Sequence, residues 1–235
     1  MKQISILMML VWFGVAAFAQ SDQVVFVKGN KKLDRKDYAG AIVDYTAAIK
    51  YNPRFAAAYT NRGVARYNLY DFAAAMEDFT KAIESDSNYA DGWYRRALLR
   101  AELKETQLAV EDFSRAIVLQ PTNANAYYNR GLARAVLQDH TGAVSDFTKV
   151  LEQQPAPEEA FYQRGLSYYE LRNYTLAIRD LNKVIEMNPQ RAEAYFNRGL
   201  SWIYSKDKVK ACNDFRKALE LGSIMGQEGV RKWCN

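Results

Sequence analysis

Asp44-Tyr45-Thr46-Ala47-Ala48-Ile49 returns as Asp78-Phe79-Thr80-Lys81-Ala82-Ile83 and as Asp112-Phe113-Ser114-Arg115-Ala116-Ile117. Related phrases begin at Asp146, Asp180 and Asp214, and every step is 34 residues. A fixed period of this length marks a repeat architecture. The register divides the chain into units 22–55, 56–89, 90–123, 124–157, 158–191 and 192–225 with no insertion between them. Within each unit the apolar positions step by three and four, which places them on one face of a helix. One helix pair cannot bury such a face alone, so neighbouring units must stack.

Certain positions keep their character in every unit. Position 4 holds Val25, Tyr59, Trp93, Tyr127, Phe161 and Tyr195, and position 8 holds Gly29, Gly63, Ala97, Gly131, Gly165 and Gly199. Position 20 is alanine throughout, at 41, 75, 109, 143, 177 and 211. Position 24 holds Tyr45, Phe79, Phe113, Phe147, Leu181 and Phe215, and position 32 is Pro53, Pro121, Pro155 and Pro189, with Ser87 and Ser223 as departures. Small residues at 8 and 20 let two helices approach, and the bulky residues at 4 and 24 fill the space beside them. Proline at 32 is expected to stop the second helix, because it lacks an N–H and restricts the residue before it.

At this register the chain resembles the tetratricopeptide repeat family over six contiguous repeats. The resemblance implies an all-α fold: a right-handed superhelical solenoid of six helix hairpins, closed by a C-terminal capping helix over 226–235. In that segment Val230 and Trp233 are the residues expected to cover the last hairpin. The first helix of unit one, with Val25, Lys28 and Lys32 in place of the family's aromatic or long apolar choices, is expected to fray first.

Position 7 is basic in every unit (Lys28, Arg62, Arg96, Arg130, Arg164, Arg198) and position 23 is always aspartate. The two positions lie on the antiparallel helices of one hairpin. A ligand ladder of arginines is one reading; structural pairs Arg62–Asp78, Arg96–Asp112, Arg130–Asp146, Arg164–Asp180 and Arg198–Asp214 are the preferred one, since pairing removes the cost of half-buried charge.

Residues 1–19 read as a signal peptide: Lys2 precedes an apolar run from Ile4 to Phe18, and Ala17-Phe18-Ala19 fits a cleavage site that would leave Gln20 first. The run is short for a membrane span, and no later segment is apolar enough to be one. The expected location is periplasmic or secreted, and the chain also resembles exported repeat proteins of the bacterial envelope. In that compartment two cysteines favour a bridge, Cys212–Cys234, between the sixth unit and the capping segment.

Composition excludes several classes of function. The chain has 32 basic and 27 acidic residues, interspersed along its length and without the basic stripe of a nucleic-acid binder. Its one histidine, His140, and two cysteines do not make a zinc set. It carries no phosphate-binding glycine loop and no activated nucleophile. The reading is therefore no enzyme, no cofactor and no metal, with a protein or peptide as partner.

The resemblance implies that first helices line a concave groove, with positions 2, 5, 6, 9, 12 and 13 facing the ligand. Position 5 is aromatic in five units, at Phe26, Tyr94, Tyr128, Tyr162 and Phe196, with Thr60 the exception. Position 6 holds Asn61, Arg95, Asn129, Gln163 and Asn197. Such an amide row resembles the asparagine ladder with which some family members grip a peptide backbone, because an amide donates and accepts at once. The groove carries Asp91, Glu102, Glu159, Glu170 and Glu193 against Arg95. That does not match relatives that clamp acidic chaperone tails, and it points to a neutral-to-basic or aromatic segment. The alternative function is a structural subunit of an envelope assembly, docking through the convex face or repeat edges.

Overall fold

The computed structural model describes residues 22–153 and 157–234, which form thirteen helices and no strand. The signal-peptide reading and Pro155 lie outside the described residues. Among those residues no helix is long and apolar enough to cross a membrane. The chain divides into two compact units, one up to Pro121 and one from Thr122.

The first unit holds α1 (22–34), α2 (Tyr38–Tyr51), α3 (Ala56–Asn68), α4 (Phe72–Ser85), α5 (Ala90–Glu102) and α6 (Thr106–Leu119). The second holds α7 (Ala124–Val136), α8 (His140–Gln153), α9 (Glu158–Glu170), α10 (Tyr174–Met187), α11 (Ala192–Tyr204), α12 (Lys208–Glu220) and α13 (Ile224–Trp233). Successive helices pack as hairpins, α3 on α4, α5 on α6, α7 on α8, α9 on α10 and α11 on α12. First helices of neighbouring repeats also touch (α3 with α5, α7 with α9, α9 with α11), whereas second helices within a unit do not meet. Each stack therefore bends with its first helices on the inside.

The turn inside each hairpin is built alike. Lys36, Tyr70, Lys104, Gln138, Arg172 and Lys206, all at position 15, have φ between 57° and 66°. This left-handed residue lets the next N–H reach back five residues, as Asp37 N does to Lys32 O at 2.9 Å, which closes a Schellman-type C-cap. Position 16 then caps the second helix: Asp37, Asp71, Asn173 and Asp207 each accept from the N–H three residues on.

The second helices do not depend on proline to stop. α4 ends at Ser85 with Asp86 extended, although Ser87 follows; α2 and α10 end at the same register before Pro53 and Pro189. The shared device is an Asx turn at position 31. Asn52, Asp86 and Asn188 accept from the N–H of Arg54, Asn88 and Gln190 at 3.1, 2.9 and 3.2 Å.

Cores form hairpin by hairpin, for example Ala75, Phe79 and Leu99 in the first unit and Leu181, Val184 and Ala194 in the second. At the C-terminus α13 packs on α12 through Gly226 and Gly229, its buried residues, whereas Val230 and Trp233 are half-buried. A methyl group on Gly229 would stand 2.7 Å from the Phe215 ring, so this glycine permits the close approach. Cys212 and Cys234 are joined in a disulfide with Cα atoms 5.6 Å apart.

Candidate functional site: the face of the first helices

The arginines of position 7 point into the hairpins. Arg62 meets Asp78 through Nε and Nη2 at 3.0 and 2.7 Å, and Arg96, Arg130, Arg164 and Arg198 make the same two-pronged contact with Asp112, Asp146, Asp180 and Asp214. The four aspartates at 78, 112, 146 and 180 are at most 2% exposed, and two-pronged pairing satisfies carboxylates so placed. Burial pushes the Asp214 carboxyl above its usual range, with Arg198 opposing the shift. Each of these guanidinium groups also sits over the position-4 ring of its own helix, as Arg96 does over Trp93 at 5.1 Å.

Two partners of this network escaped the sequence reading. Arg66, Arg100 and Arg134 at position 11 give Asp78, Asp112 and Asp146 a second cation at 2.9, 2.8 and 2.9 Å. In unit one the residue at this place, Lys32, pairs with Asp44 at 2.7 Å, whereas Lys28 is exposed. The basic recurrence at position 11 was visible in the sequence and would have revealed it. Position 25 is the other partner: Arg62, Arg96 and Arg164 donate Nη1 to Thr46, Thr80 and Thr148 of the preceding repeat, and Arg198 donates to Asn182. One arginine thus ties its own hairpin together and fastens it to the hairpin before.

The position-5 rings lie against the position-24 rings of their own repeats. Phe26 tilts on Tyr45, Tyr94 on Phe113, Tyr128 on Phe147 and Phe196 on Phe215, with centroids 5.7 to 5.9 Å apart. They are half-buried. The amides are drawn into local bonds. Asn61 donates to Asn30 Oδ1 at 2.9 Å, an oxygen that also accepts from the Tyr45 hydroxyl at 2.8 Å. Asn129 donates to Asn125 O, Gln163 to Glu159 Oε1, and Asn197 to both Glu193 O and the Tyr162 hydroxyl. Arg95 bonds Asp91 at 3.2 Å. Of the groove residues read from the sequence, Tyr162 and Asn197 meet across a repeat boundary, whereas Arg95, Asn129 and Gln163 bond along their own helices.

In the second unit Arg191 forms a clamp. Its Nη1 lies 2.8 Å from both Glu158 and Glu159, and its guanidinium sits 3.7 Å from the Tyr162 ring centroid. Burial raises the Glu159 carboxyl, but hydrogen bonds from Arg191 and Gln163 outweigh it and hold the group below its ordinary value.

The first unit contains a cleft of about 270 Å³ between α3 and α5. Val64, Phe79, Leu98 and Leu99 give it an apolar floor, and Tyr67, Asn68, Arg95 and Glu102 form the rim. The Tyr67 hydroxyl donates to Glu102 Oε2 at 2.5 Å, which together with burial raises its pKa. Repeat two is where the aromatic series at position 5 breaks: Thr60 stands there, fully buried, and no described ring stacks on Phe79.

Comparisons with known proteins place this geometry. Family models described as "TPR repeat" and "Tetratricopeptide repeat" match residues 29–69 and 99–137, and residues 56–89 and 158–191, respectively. No curated protein matches the chain. Among solved structures, YrrB, described as a TPR protein with an unusual peptide-binding site, superposes with a TM-score of 0.76 at 22% identity, covering 80% of this chain and 97% of that one. PilF of Pseudomonas aeruginosa gives 0.72 at 20% identity, over 92% and 99% of the two chains. A tetratricopeptide repeat protein from Parabacteroides merdae gives 0.66 at 22% identity, over 92% and 100%.

Proposed function

Because the chain belongs to the tetratricopeptide repeat family, we propose that it is a non-enzymatic scaffold whose first helices hold an extended segment of a partner protein. The fold is one of protein–protein interaction scaffolds. The observation that carries the finer reading is the cleft between α3 and α5, an apolar hollow with a polar rim on the inner face of the bend. Half-buried rings at Tyr94, Tyr128 and Phe196 extend an amphipathic surface along the first helices of each unit. The position-6 amides contribute less, because their N–H groups already serve neighbouring carbonyl and carboxylate oxygens.

The scaffold works outside the cytoplasm after cleavage behind Ala19. The disulfide between Cys212 and Cys234 supports this location, since such bonds persist in oxidising compartments. Mass analysis of the mature chain checks both points: a start at Gln20, and two hydrogens fewer than the reduced sequence requires. A chain that retains residues 1–19 overturns the export reading.

A second reading, a subunit of an envelope assembly that docks through second helices, draws on the exposure of Val43 and Val118. Photo-crosslinking residues placed in the producing cell separate the two. Partner adducts from Asn61 and Asn129 are expected, and adducts confined to Val43 and Val118 would instead favour docking by the second helices.

A further inference from the structure

We propose that the cleft between α3 and α5 receives one aromatic side chain from an extended partner segment that carries a lysine or arginine next to that ring. The proposal rests on the reading that first helices hold an extended segment. Size comes first. At about 270 Å³ the cleft is below the ~300 Å³ at which pockets begin to enclose whole small molecules, and it suits a single anchoring side chain.

The repeats themselves indicate which side chain. In repeats five and six, Tyr169 at position 12 and Tyr174 at position 17 meet Tyr204, at position 13 of the following repeat. Tyr204 stacks on Tyr174 at 5.2 Å and 16°, and lies edge-on to Tyr169 at 5.9 Å. In repeats two and three the same register holds Tyr67 and Phe72, 5.5 Å apart, but Glu102 stands in place of the third ring. The cleft opens beside Tyr67 and Glu102. Phe79 at its floor also lacks the ring partner that Tyr45, Phe113, Phe147 and Phe215 have. A partner's ring in the cleft meets Tyr67 as Tyr204 meets Tyr169, and supplies Phe79 with the ring neighbour it lacks.

Charge selects the neighbour of that ring. Arg95 is bonded to Asp91, so the cation on the rim is already matched. Glu102 accepts the Tyr67 hydroxyl on one oxygen, and its second oxygen has no partner among the described residues. The residual charge at the mouth is negative and favours a basic neighbour.

The test uses the mature chain with labelled valine and leucine methyl groups, titrated with a capped seven-residue peptide in which phenylalanine is flanked by lysines. Shifts at Val64, Leu98 and Leu99 are expected, with affinity falling at least tenfold when alanine replaces the phenylalanine. Glu102→Tyr, which imports the ring of repeat six, should weaken binding at least tenfold without lowering the thermal midpoint. Glu102→Gln, which keeps the shape, should abolish the preference for lysine over glutamate flanks. Equal shifts with the alanine peptide, or undiminished binding to Glu102→Tyr, overturn the proposal. Shifts at Leu132, Leu166 or Leu200 alone overturn it while leaving the first-helix reading intact. Silence at every first-helix methyl for every peptide removes both.

Discussion

Position 15 shows how much one residue can carry. A side chain with Cβ in the left-handed region costs ~1–2 kcal/mol relative to ordinary helix geometry, and all six units place one there. Lys104→Gly is expected to raise stability by about 0.5–1 kcal/mol, the strain relieved less the added freedom of the unfolded chain, read as a higher midpoint in urea. Asp112 is the opposite case. It accepts from Arg96 and Arg100 together, so Asp112→Ala strands two cations and should cost about 3–5 kcal/mol. Arg96→Ala combined with Asp112→Ala should cost less than the sum of the single changes; a double-mutant cycle checks this coupling, and strict additivity would show that the pair is not one. Tyr45 sets an alkaline limit. Burial first, then nearby Asp34 and Asp44, raise its hydroxyl to about 12 against an opposing hydrogen bond, and burial with Tyr204 does the same for Tyr169. A phenol whose pKa is higher folded than unfolded stabilises the fold fully below pH ~10 and progressively loses that contribution up to about 12. Stability should therefore fall across that interval, and Tyr45→Phe should flatten the fall, measured by unfolding at stepped pH alongside tyrosinate absorbance.

Among the elements, α13 depends most on a few contacts. It rests on α12 through glycines, and the disulfide spans 22 residues. Closing a loop of that length contributes roughly 3 kcal/mol in the chain-entropy view. Replacing both cysteines by serine is expected to lower the thermal midpoint and to speed amide exchange in α13 ahead of α9 and α10. Gly229→Ala, which sets a methyl against the Phe215 ring, should cost ~1–3 kcal/mol as overpacking. The existence and pairing of the hairpins were legible from the 34-residue phrase alone. What stops the second helices was not: proline is the conspicuous residue, but the extended Asn or Asp before it makes the bond that turns the chain, and it does so beside Ser87 as well. The capping face was likewise read from its large residues, Val230 and Trp233, although close packing is set where a side chain is missing.

At the scale of the molecule, stability should be graded along the stack, because each repeat rests only on its neighbours. Positions 3 and 10 of repeats two to six are buried, for instance Ala58 and Ala65, while repeat one exposes Val24 and Lys31 at those places. Amides of α1 are therefore expected to exchange faster than those of α4 by hydrogen exchange, and equal protection would show that another element covers them. Of the site, the faces and the acidic bias could be read from the register. The cleft could not, because its lining comes from α3, α4 and α5 together and exists only once those helices stand side by side.

The sequence by itself determined the period, the helical hairpins and the pairing of positions 7 and 23, because each follows from spacing along one chain. Tertiary structure decided how the hydrogen bonds were spent. It tied the amide row largely into local bonds, gave Asp78, Asp112 and Asp146 a second arginine, bound Arg62, Arg96, Arg164 and Arg198 to the repeat before each, and left a hollow beside Tyr67. Those outcomes depend on distances between helices, and a list of residues at fixed positions does not contain them.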